Sequence, residues 1–262
     1  MENNKNNNSV IIFVIVLFSV LTLCVTAVFI KLLNTSSTGN IFNKENYTLE
    51  KVYDEEFTDE FKLIDIDVEV ADVDIKVSDD DKTYVKVYNY EELTDVKVTP
   101  DTIKITAKTK KCFMFCNNKG GRVEVYLPSN YSNDLKIESD VGDINIEGFR
   151  DAYLEVDTNV GDLEVDKIKN VIAKSDVGDI KIENIYEYVK IETNVGDVRI
   201  ENLNITKDSE IDSEIGDVKI ENINDIFVDA KASVGDVKVN KNNRKSEITL
   251  KITSSVGDIK VG

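Results

Sequence analysis

The sequence of 262 residues contains no histidine and no tryptophan, and it has only two prolines. Without histidine, neither a serine–histidine catalytic pair nor a histidine-ligated zinc site can form. Basic residues are also outnumbered, 32 against 50 acidic ones, which gives a formal charge of −18. This charge disfavours a nucleic-acid partner, because such a partner is bound through its phosphates. We therefore expect no cofactor. The acidic surface is expected to aid solubility or to face cations.

Only one long hydrophobic run is present, the 21 consecutive uncharged residues from Val10 to Ile30. Its helical length of about 30 Å spans the hydrocarbon of a bilayer and exceeds the core of a signal peptide. No convincing cleavage site follows, so we predict an uncleaved transmembrane helix over residues 10–33 after a short head, residues 1–9. Lys5 and Lys31 flank the run, and the positive-inside rule barely discriminates. The large acidic domain that follows favours a single-pass protein of the cell membrane whose C-terminal domain is extracellular.

Cysteine is scarce as well, with three residues in the chain. Cys112 and Cys116 bracket three residues at a predicted hairpin tip. If this segment curls, the pair can form a local disulfide in an oxidising exterior, whereas in an extended segment the two sulfurs are too far apart. Two thiols alone do not make a zinc site, and the sequence leaves both redox states open.

Glycine is infrequent, yet seven of the 12 glycines belong to one repeated phrase, Val/Ile-Gly-Asp followed by β-branched residues. Successive glycines of this phrase are 17 to 22 residues apart, a period typical of stacked structural repeats. Glycine enters positive-φ conformations at little cost, and aspartate bonds nearby backbone amides, so the phrase predicts a sharp corner. The corner glycines are Gly142, Gly161, Gly178, Gly196, Gly216, Gly235 and Gly257.

Before each corner, apolar residues alternate with polar ones, as in a half-buried strand. About 18 residues cannot bury an apolar face alone, so each coil must lie on the next, strand over equivalent strand. The pattern predicts an all-β fold, a parallel β-solenoid (β-helix) of about seven to eight coils. By this alternation the residues of a valine row should point inward: Val141, Val160, Val177, Val195, Ile215, Val234 and Val256.

Two further sets of residues follow from the same repeat. A hydroxyl row should also point inward and hydrogen-bond the backbone of the adjacent corner, because a buried unpaired hydroxyl costs about 1–3 kcal/mol. It consists of Ser139, Thr158, Ser175, Thr193, Ser213 and Ser254, with Ala232 in the remaining coil. A second corner, an acidic residue followed by asparagine, is expected to use left-handed geometry at Asn184, Asn202 and Asn222.

The aspartates of the repeated phrase form an aspartate row, which is a weak candidate for cation binding. Carboxylates stacked about 4.8 Å apart can share hard cations, although calcium-binding β-rolls use a nine-residue glycine-rich repeat that this chain lacks. Stabilisation of the corners is the favoured reading of the row. Its members are Asp143, Asp162, Asp179, Asp197, Asp217, Asp236 and Asp258.

Next to the aspartate row we expect a basic row on the same outward face, followed by an acidic row. The basic row consists of Lys181, Arg199, Lys219, Lys238 and Lys260. The acidic row consists of Glu147, Asp166, Glu183, Glu201 and Glu221. Mutual neutralisation is the simplest reading, since like charges stacked along a sheet repel unless they are paired across it. The alternative hypothesis is that these rows form a binding site for an anionic wall polymer.

Composition and alternation divide the chain into segments. Residues 34–60 are polar and acidic without sustained alternation, which is typical of a linker. Residues 61–128 are expected to form an antiparallel N-terminal cap, with Ala71–Val77 as a degenerate first coil that has lost its glycine. Residues 129–262 hold the repeats and form the predicted solenoid.

The strand Val123–Pro128 ends in Leu-Pro and is followed by Leu135–Ile144, which carries the pattern Ser-x-x-Gly-Asp-Ile. In these features the chain resembles the bacterial putative-adhesin family of β-strand repeats, a domain of unknown function. The likeness runs from about Leu63 to Gly262 and implies a parallel β-solenoid in the cell envelope, where Gram-positive members commonly follow a single membrane span. The family has no assigned active site, so no catalytic residue is implied.

Two functions from different classes follow. The first is a membrane-anchored surface module that binds a protein, a wall polymer or a host surface. The second is a regulatory protein of a cell-envelope stress system that acts on a neighbouring membrane protein. We do not expect an enzyme, because the carboxylates are numerous and repeated and nothing singles out a catalytic pair. Ile259–Val261 is the last strand of the sequence, so we predict that the C-terminal coil is an open edge for self-association or a protein partner.

Overall fold

The computed structural model describes residues 50–89, 93–109 and 120–262, which belong to one compact unit, Leu49–Gly262. The predicted head, the predicted transmembrane helix and the pair Cys112 and Cys116 lie outside the described residues. Within the described ranges, no helix has the length and apolar character needed to cross a membrane. This part of the chain is built from β-strands, which confirms the predicted all-β class.

Eighteen strands pair into one continuous sheet that winds around the core. The first nine strands are β1 (Lys51–Phe57), β2 (Leu63–Val77), β3 (Thr83–Tyr88), β4 (Thr94–Val98), β5 (Thr102–Ala107), β6 (Gly121–Leu127), β7 (Asp134–Val141), β8 (Ile144–Ile146) and β9 (Phe149–Val160). The others are β10 (Leu163–Val177), β11 (Ile180–Val195), β12 (Val198–Leu203), β13 (Ser209–Ile215), β14 (Val218–Ile223), β15 (Phe227–Val234), β16 (Val237–Val239), β17 (Thr249–Val256) and β18 (Ile259–Val261).

Each glycine repeat forms one coil, with a strand before the Gly-Asp corner and a strand after it. Equivalent residues of neighbouring coils lie opposite one another in parallel register, as in Val160 opposite Val141 and Leu163 opposite Ile144. The parallel stacking predicted from the repeat period is therefore confirmed. The strands after the corners bury a second apolar row, which includes Ile146, Ile182 and Ile200.

The coils do not stack in the order of the chain. Strands β17 and β18 of the last repeat pair with β13 and β14 on one side and with β15 and β16 on the other. The last coil is therefore inserted between the two coils that precede it in sequence. In space the corners follow the order Ala71, Gly142, Gly161, Gly178, Gly196, Gly216, Gly257 and Gly235.

This insertion corrects the prediction that the C-terminal coil is an open edge. Ile259 and Val261 are fully buried, because coils cover them on both sides. The exposed end of the stack is instead the coil of Gly235, formed by β15 and β16, where Val237 is 43% exposed. The side-chain amide of Asn242 covers part of this edge, since it accepts from the Val228 N–H and donates to the Val228 carbonyl.

The N-terminal end shows a similar exchange of order. Strand β2 pairs with β7 and β8 on one side and with the later strands β5 and β6 on the other. Ala71 in β2 occupies the place of a corner glycine, as expected for a degenerate coil, because the Gly142 corner packs against its carbonyl. Strands β1, β3 and β4 add antiparallel pairs to this end, which agrees with the antiparallel strands predicted there.

Part of the segment predicted to be a linker is a strand. Residues Lys51–Phe57 form β1, which pairs antiparallel with β3, and the Phe57 ring packs edge-on against Phe61 at 5.6 Å. The local sequence lacks a clear alternation because β1 lies at the edge of the sheet and most of its side chains face solvent. Pairing with β3, rather than an apolar face of its own, holds this strand.

The hydroxyl row is buried as predicted, but its predicted hydrogen bonds are largely absent. The Ser213 hydroxyl donates to the Gly216 carbonyl at 3.4 Å. Five other hydroxyls have no hydrogen-bond partner among the described residues, namely those of Ser139, Thr158, Ser175, Thr193 and Ser254. Backbone N–H groups of the corners pair between coils instead, as in the Gly142 N–H, which donates to the Val160 carbonyl at 2.9 Å.

The asparagines of the second corner are not left-handed. Among the described residues, Asp81 is the one non-glycine residue with a positive φ. The asparagines instead form a ladder of amides, in which Asn222 donates to Asn202 at 3.0 Å and Asn202 donates to Asn184 at 3.1 Å. Stacking in register places identical amides side by side, and this geometry satisfies them without a left-handed backbone.

Candidate functional site

The Gly-Asp corners lie above one another and form a continuous surface, which we call the corner face. It comprises the valine row, the corner glycines, the aspartate row and the basic row. All seven corner glycines have φ between 135° and 150°, which L-residues rarely adopt. A Cβ on Gly196 would lie 2.0 Å from the carbonyl oxygen of Gly178, and the other six corners are similar. Glycine is thus required both by backbone conformation and by the close approach of the next corner.

The aspartate row links the corners by hydrogen bonds. In each step the Oδ1 atom of one aspartate accepts from the backbone N–H of the aspartate in the next coil, at distances between 2.7 and 3.2 Å. The ladder begins at Asp72 of β2, which accepts from the Asp143 N–H. The N–H of Asp236 and the ammonium of Lys260 hold the pKa of Asp258 below its usual range. This geometry supports corner stabilisation as the role of the row.

The structure places the seven candidate cation ligands in one line but does not bring them into a cluster. Among the described residues, no group of three or more Asp, Glu, Cys or His side chains is arranged to hold a metal ion. The carboxylates are instead spaced by the coil repeat, and one oxygen of all but Asp236 accepts a backbone amide.

The valine row is exposed, which corrects the prediction that it points into the core. Its seven side chains are between 43% and 63% exposed. The residue before each of them, such as Asp140 before Val141, is exposed too, so the alternation ends before the glycine is reached. The last two residues of each strand that ends in this row are thus both exposed, and the final one adds to an aliphatic line on the outer surface.

Exposed polar residues border the valine row on the side away from the corner glycines. Three of them are carboxylates, Asp140, Asp176 and Glu214. Asn159 donates to Asp140 and Asn194 donates to Asp176, each at 2.9 Å, so amides from the next coil hold these carboxylates in place. The aspartate row runs along the other side. Carboxylates thus flank the aliphatic line on both sides.

The basic row lies beyond the aspartate row, in register from coil to coil. A shallow groove of about 340 Å³ separates the two rows, and the buried residues Ile180, Val198 and Val218 form its floor. Arg199 and Lys219 both pair with Glu221 of the acidic row, at 2.6 and 2.9 Å. Two of the five basic residues are therefore directed towards the acidic row, as the neutralisation hypothesis predicts. Lys181 pairs with Glu164 instead, and Lys260 pairs with Asp258 of the aspartate row.

The charges and burial around Glu221 and Glu183 of the acidic row set the directions of their pKa shifts. The ammonium of Lys219 lowers the pKa of Glu221, with a smaller contribution from Arg199. Partial burial raises the pKa of Glu183, and the carboxylates of Asp166 and Glu201 raise it further. The row is therefore neutralised well at the coil of Glu221 and poorly at the coil of Glu183.

A pocket larger than the shallow groove lies where the strands that precede the corners begin, and the sequence did not predict it. It has a volume of about 580 Å³, and its lining includes Tyr153, Ile172, Tyr188 and Lys207. Tyr153 and Ile172 are 41% and 44% exposed. These residues do not recur from coil to coil, so the repeat pattern contained no signal for them.

Comparison with known proteins adds a family and a fold. The family model Toastrack DUF4097 matches residues 61–262. No curated protein matches the chain significantly. The crystal structure of a putative adhesin from Bacteroides fragilis aligns with a TM-score of 0.52 at 19% identity and covers 82% of this chain and 98% of that one. At this identity the likeness concerns the fold alone.

Two other crystal structures align less well. A putative cell adhesion protein from Clostridium sporogenes is 14% identical, with 81% of this chain and 99% of that chain covered and a TM-score of 0.36. A putative lipid binding protein from Parabacteroides distasonis is 16% identical, with 80% and 96% covered and a TM-score of 0.37. The family match spans all the coils and nearly all the strands before them, so this chain belongs to the Toastrack DUF4097 family, whose function is unknown.

Proposed function

We propose that this protein is a non-catalytic binding module of the cell surface with an adhesin-like role. In this proposal, residues 10–33 anchor it in the membrane as a single span, and the β-domain faces the outside and presents its corner face to a partner. The β-domain acts as a parallel β-solenoid, that is, a stiff scaffold that repeats the same side chains at intervals of about 4.8 Å.

The observation that carries the proposal is the exposed valine row. Seven β-branched aliphatic side chains in register form a continuous apolar line on an otherwise strongly charged surface. Contiguous exposed apolar surface rimmed by polar residues is typical of interaction sites, whereas single exposed aliphatic residues carry no such meaning. The row is also rigid, because backbone hydrogen bonds and the aspartate row tie each corner to the next. A rigid site loses little conformational freedom when a partner binds.

The repetition of the surface supports a binding role over a catalytic one. Catalysis needs a few titratable groups whose environments set them apart. Here the aspartates of six interior corners are in equivalent surroundings, because one carboxylate oxygen of each accepts a hydrogen bond from a backbone N–H. Equivalent groups in a line suit an extended partner that makes the same contact several times.

Two measurements on the full chain test the proposal. Protease added to intact, wall-stripped cells should digest the β-domain, and fractionation should recover the chain in the membrane. Chemical crosslinking of intact cells should then enrich at least one envelope component over cells that express residues 1–60 alone. Protection of the domain from protease would overturn the orientation, a soluble processed form would overturn the anchor, and equal enrichment in both strains would overturn the binding role.

A further inference from the structure

On the basis of the binding role proposed above, we infer that the valine row is a docking line for a basic, amphipathic helix of a partner protein. The inference goes beyond the surface role because it names the surface and the chemistry of the partner. It rests on the length and spacing of the row, on the charge that surrounds it and on the rigidity of the corners.

The spacing of the row fits a helix laid along the stack. Six intervals of about 4.8 Å make the line about 29 Å long, which equals roughly 19 helical residues. One helical turn rises about 5.4 Å, so a helix with an apolar residue in each turn places one side chain near each coil. A strand in the same direction places side chains on one face only every 6.5 to 7 Å or so and matches the coils less well.

The charge around the row selects a basic partner. Asp140, Asp176 and Glu214 lie on one side of the aliphatic line, and the seven carboxylates of the aspartate row lie on the other. The outward strand residues beyond the first side are acidic in four of the seven coils and basic in two, at Lys174 and Lys231. Lysine or arginine on both flanks of an apolar helix face complements this arrangement and speeds association through long-range attraction.

The same charges argue against a second copy of this chain on the row. Two corner faces brought together place carboxylate rows opposite carboxylate rows, and each chain carries a formal charge of −18. Like charges placed opposite each other at an interface cost several kcal/mol in general. The basic row offers little relief, because four of its five members already pair with carboxylates of their own chain, namely Lys181, Arg199, Lys219 and Lys260.

Site-specific photocrosslinking in cells that express the full chain tests the inference. The probe is benzoylphenylalanine in place of Val177, at the middle of the row, and the crosslinked peptides are sequenced by mass spectrometry. We expect a crosslink to a segment with net positive charge and apolar residues at helical spacing. The substitutions Val160→Thr and Val195→Thr on either side keep β-branching and size but replace a methyl group by a hydroxyl, and they should reduce the crosslink yield by about fivefold.

Matched controls separate this surface from the rest of the molecule. Benzoylphenylalanine in place of Ile172, which has the same exposure as the row but lies away from it, should not capture the basic segment. Asp176→Asn with Glu214→Gln should lower the yield at position 177 about threefold or more, because both remove flanking charge. Melting temperatures of the variants confirm that each remains folded.

The outcomes distinguish this inference from the surface role. A crosslink from position 177 to a wall glycan, to an acidic segment or to a second copy of this chain overturns the basic-helix inference and leaves the binding role intact. A yield at position 177 that the two threonine substitutions do not change also overturns it. Both proposals fail if three results coincide in cells whose β-domain is accessible to protease. These are no crosslink from position 177, no crosslink from position 172, and no enrichment of an envelope component by general chemical crosslinking.

Discussion

The backbone N–H of Asp236 donates to the Oδ1 atom of Asp258 at 2.9 Å, although Asp258 follows it by 22 residues. At every other step of the aspartate row, the later residue of the chain donates to the earlier one. The reversed bond marks the place where the last coil enters the stack between the coils of Gly216 and Gly235. The final strand thereby gains a neighbour on both sides, and the chain end is not an open edge.

The first prediction concerns this inserted coil. Ile259→Lys with Val261→Lys should destabilise the domain by at least about 5 kcal/mol, because both substitutions place an ammonium in a fully buried apolar site. Val237 and Val239 lie directly opposite these residues in the end coil and are more exposed, so Val237→Lys with Val239→Lys should cost less than about 2 kcal/mol. Urea denaturation of the two double variants measures the difference. Equal losses would contradict the coil order.

The second prediction concerns the corner glycines. Gly196→Ala should destabilise by at least about 3 kcal/mol, because the new Cβ adds strain at φ 148° and lies 2.0 Å from the Gly178 carbonyl oxygen. Gly120→Ala is the matched control, since its Cβ would be 3.6 Å from the nearest atom, and it should cost less than about 1 kcal/mol. Thermal unfolding monitored by circular dichroism compares the two. A corner that tolerates alanine as well as position 120 does would show that adjacent corners are farther apart than described.

The third prediction separates corner stabilisation from cation binding in the aspartate row. Asp197→Ala should cost about 1–2 kcal/mol, because it removes the acceptor of the Asp217 N–H, whereas Asp197→Asn retains an acceptor oxygen and should cost less. Among the described residues no amide donates to the Asp236 carboxylate, so Asp236→Ala should cost less than about 0.5 kcal/mol. Millimolar calcium should leave the melting temperature of the wild type unchanged. A calcium-dependent rise that Asp197→Asn abolishes would favour the cation site instead.

The fourth prediction concerns alkaline pH. Burial of Tyr131 raises the pKa of its phenol, and the hydroxyl donates to the Asp134 carbonyl at 2.8 Å. The folded state therefore favours the neutral phenol, and this stabilisation is complete below the unfolded pKa of about 10 and is lost as the pH rises above it. In urea titrations, Tyr131→Phe should be less stable than the wild type by about 1 kcal/mol at pH 7 and should lose less stability above pH 10. Parallel curves would exclude Tyr131 as a source of alkaline instability.

Several features of each coil follow from local sequence. Glycine at the corner is dictated by its backbone conformation, and the buried row of Ile146, Ile182 and Ile200 follows from a period of apolar residues that the structure retains. The exposure of the valine row did not follow from that period. Alternation predicts the side of a strand on which a residue lies, but it breaks down at Asp140 and Val141, the last two residues of β7, which are both exposed.

The repeating unit of this protein, a coil of parallel strands with a Gly-Asp corner, follows from the amino-acid sequence, because propensity, alternation and corner chemistry act over fewer than about 20 residues. Local sequence could not determine the order of the coils. All seven coils carry the same corner, so each can stack on any other in the same register, and local interactions barely distinguish the alternatives. The placement of the Gly257 coil inside the Gly235 coil, and of β5 and β6 outside β2, arises from long-range packing. The order of the coils depends on how much apolar surface is buried when whole strands lie between two neighbours at each end of the stack. This free energy depends on the whole stack, so it cannot be read from a single repeat.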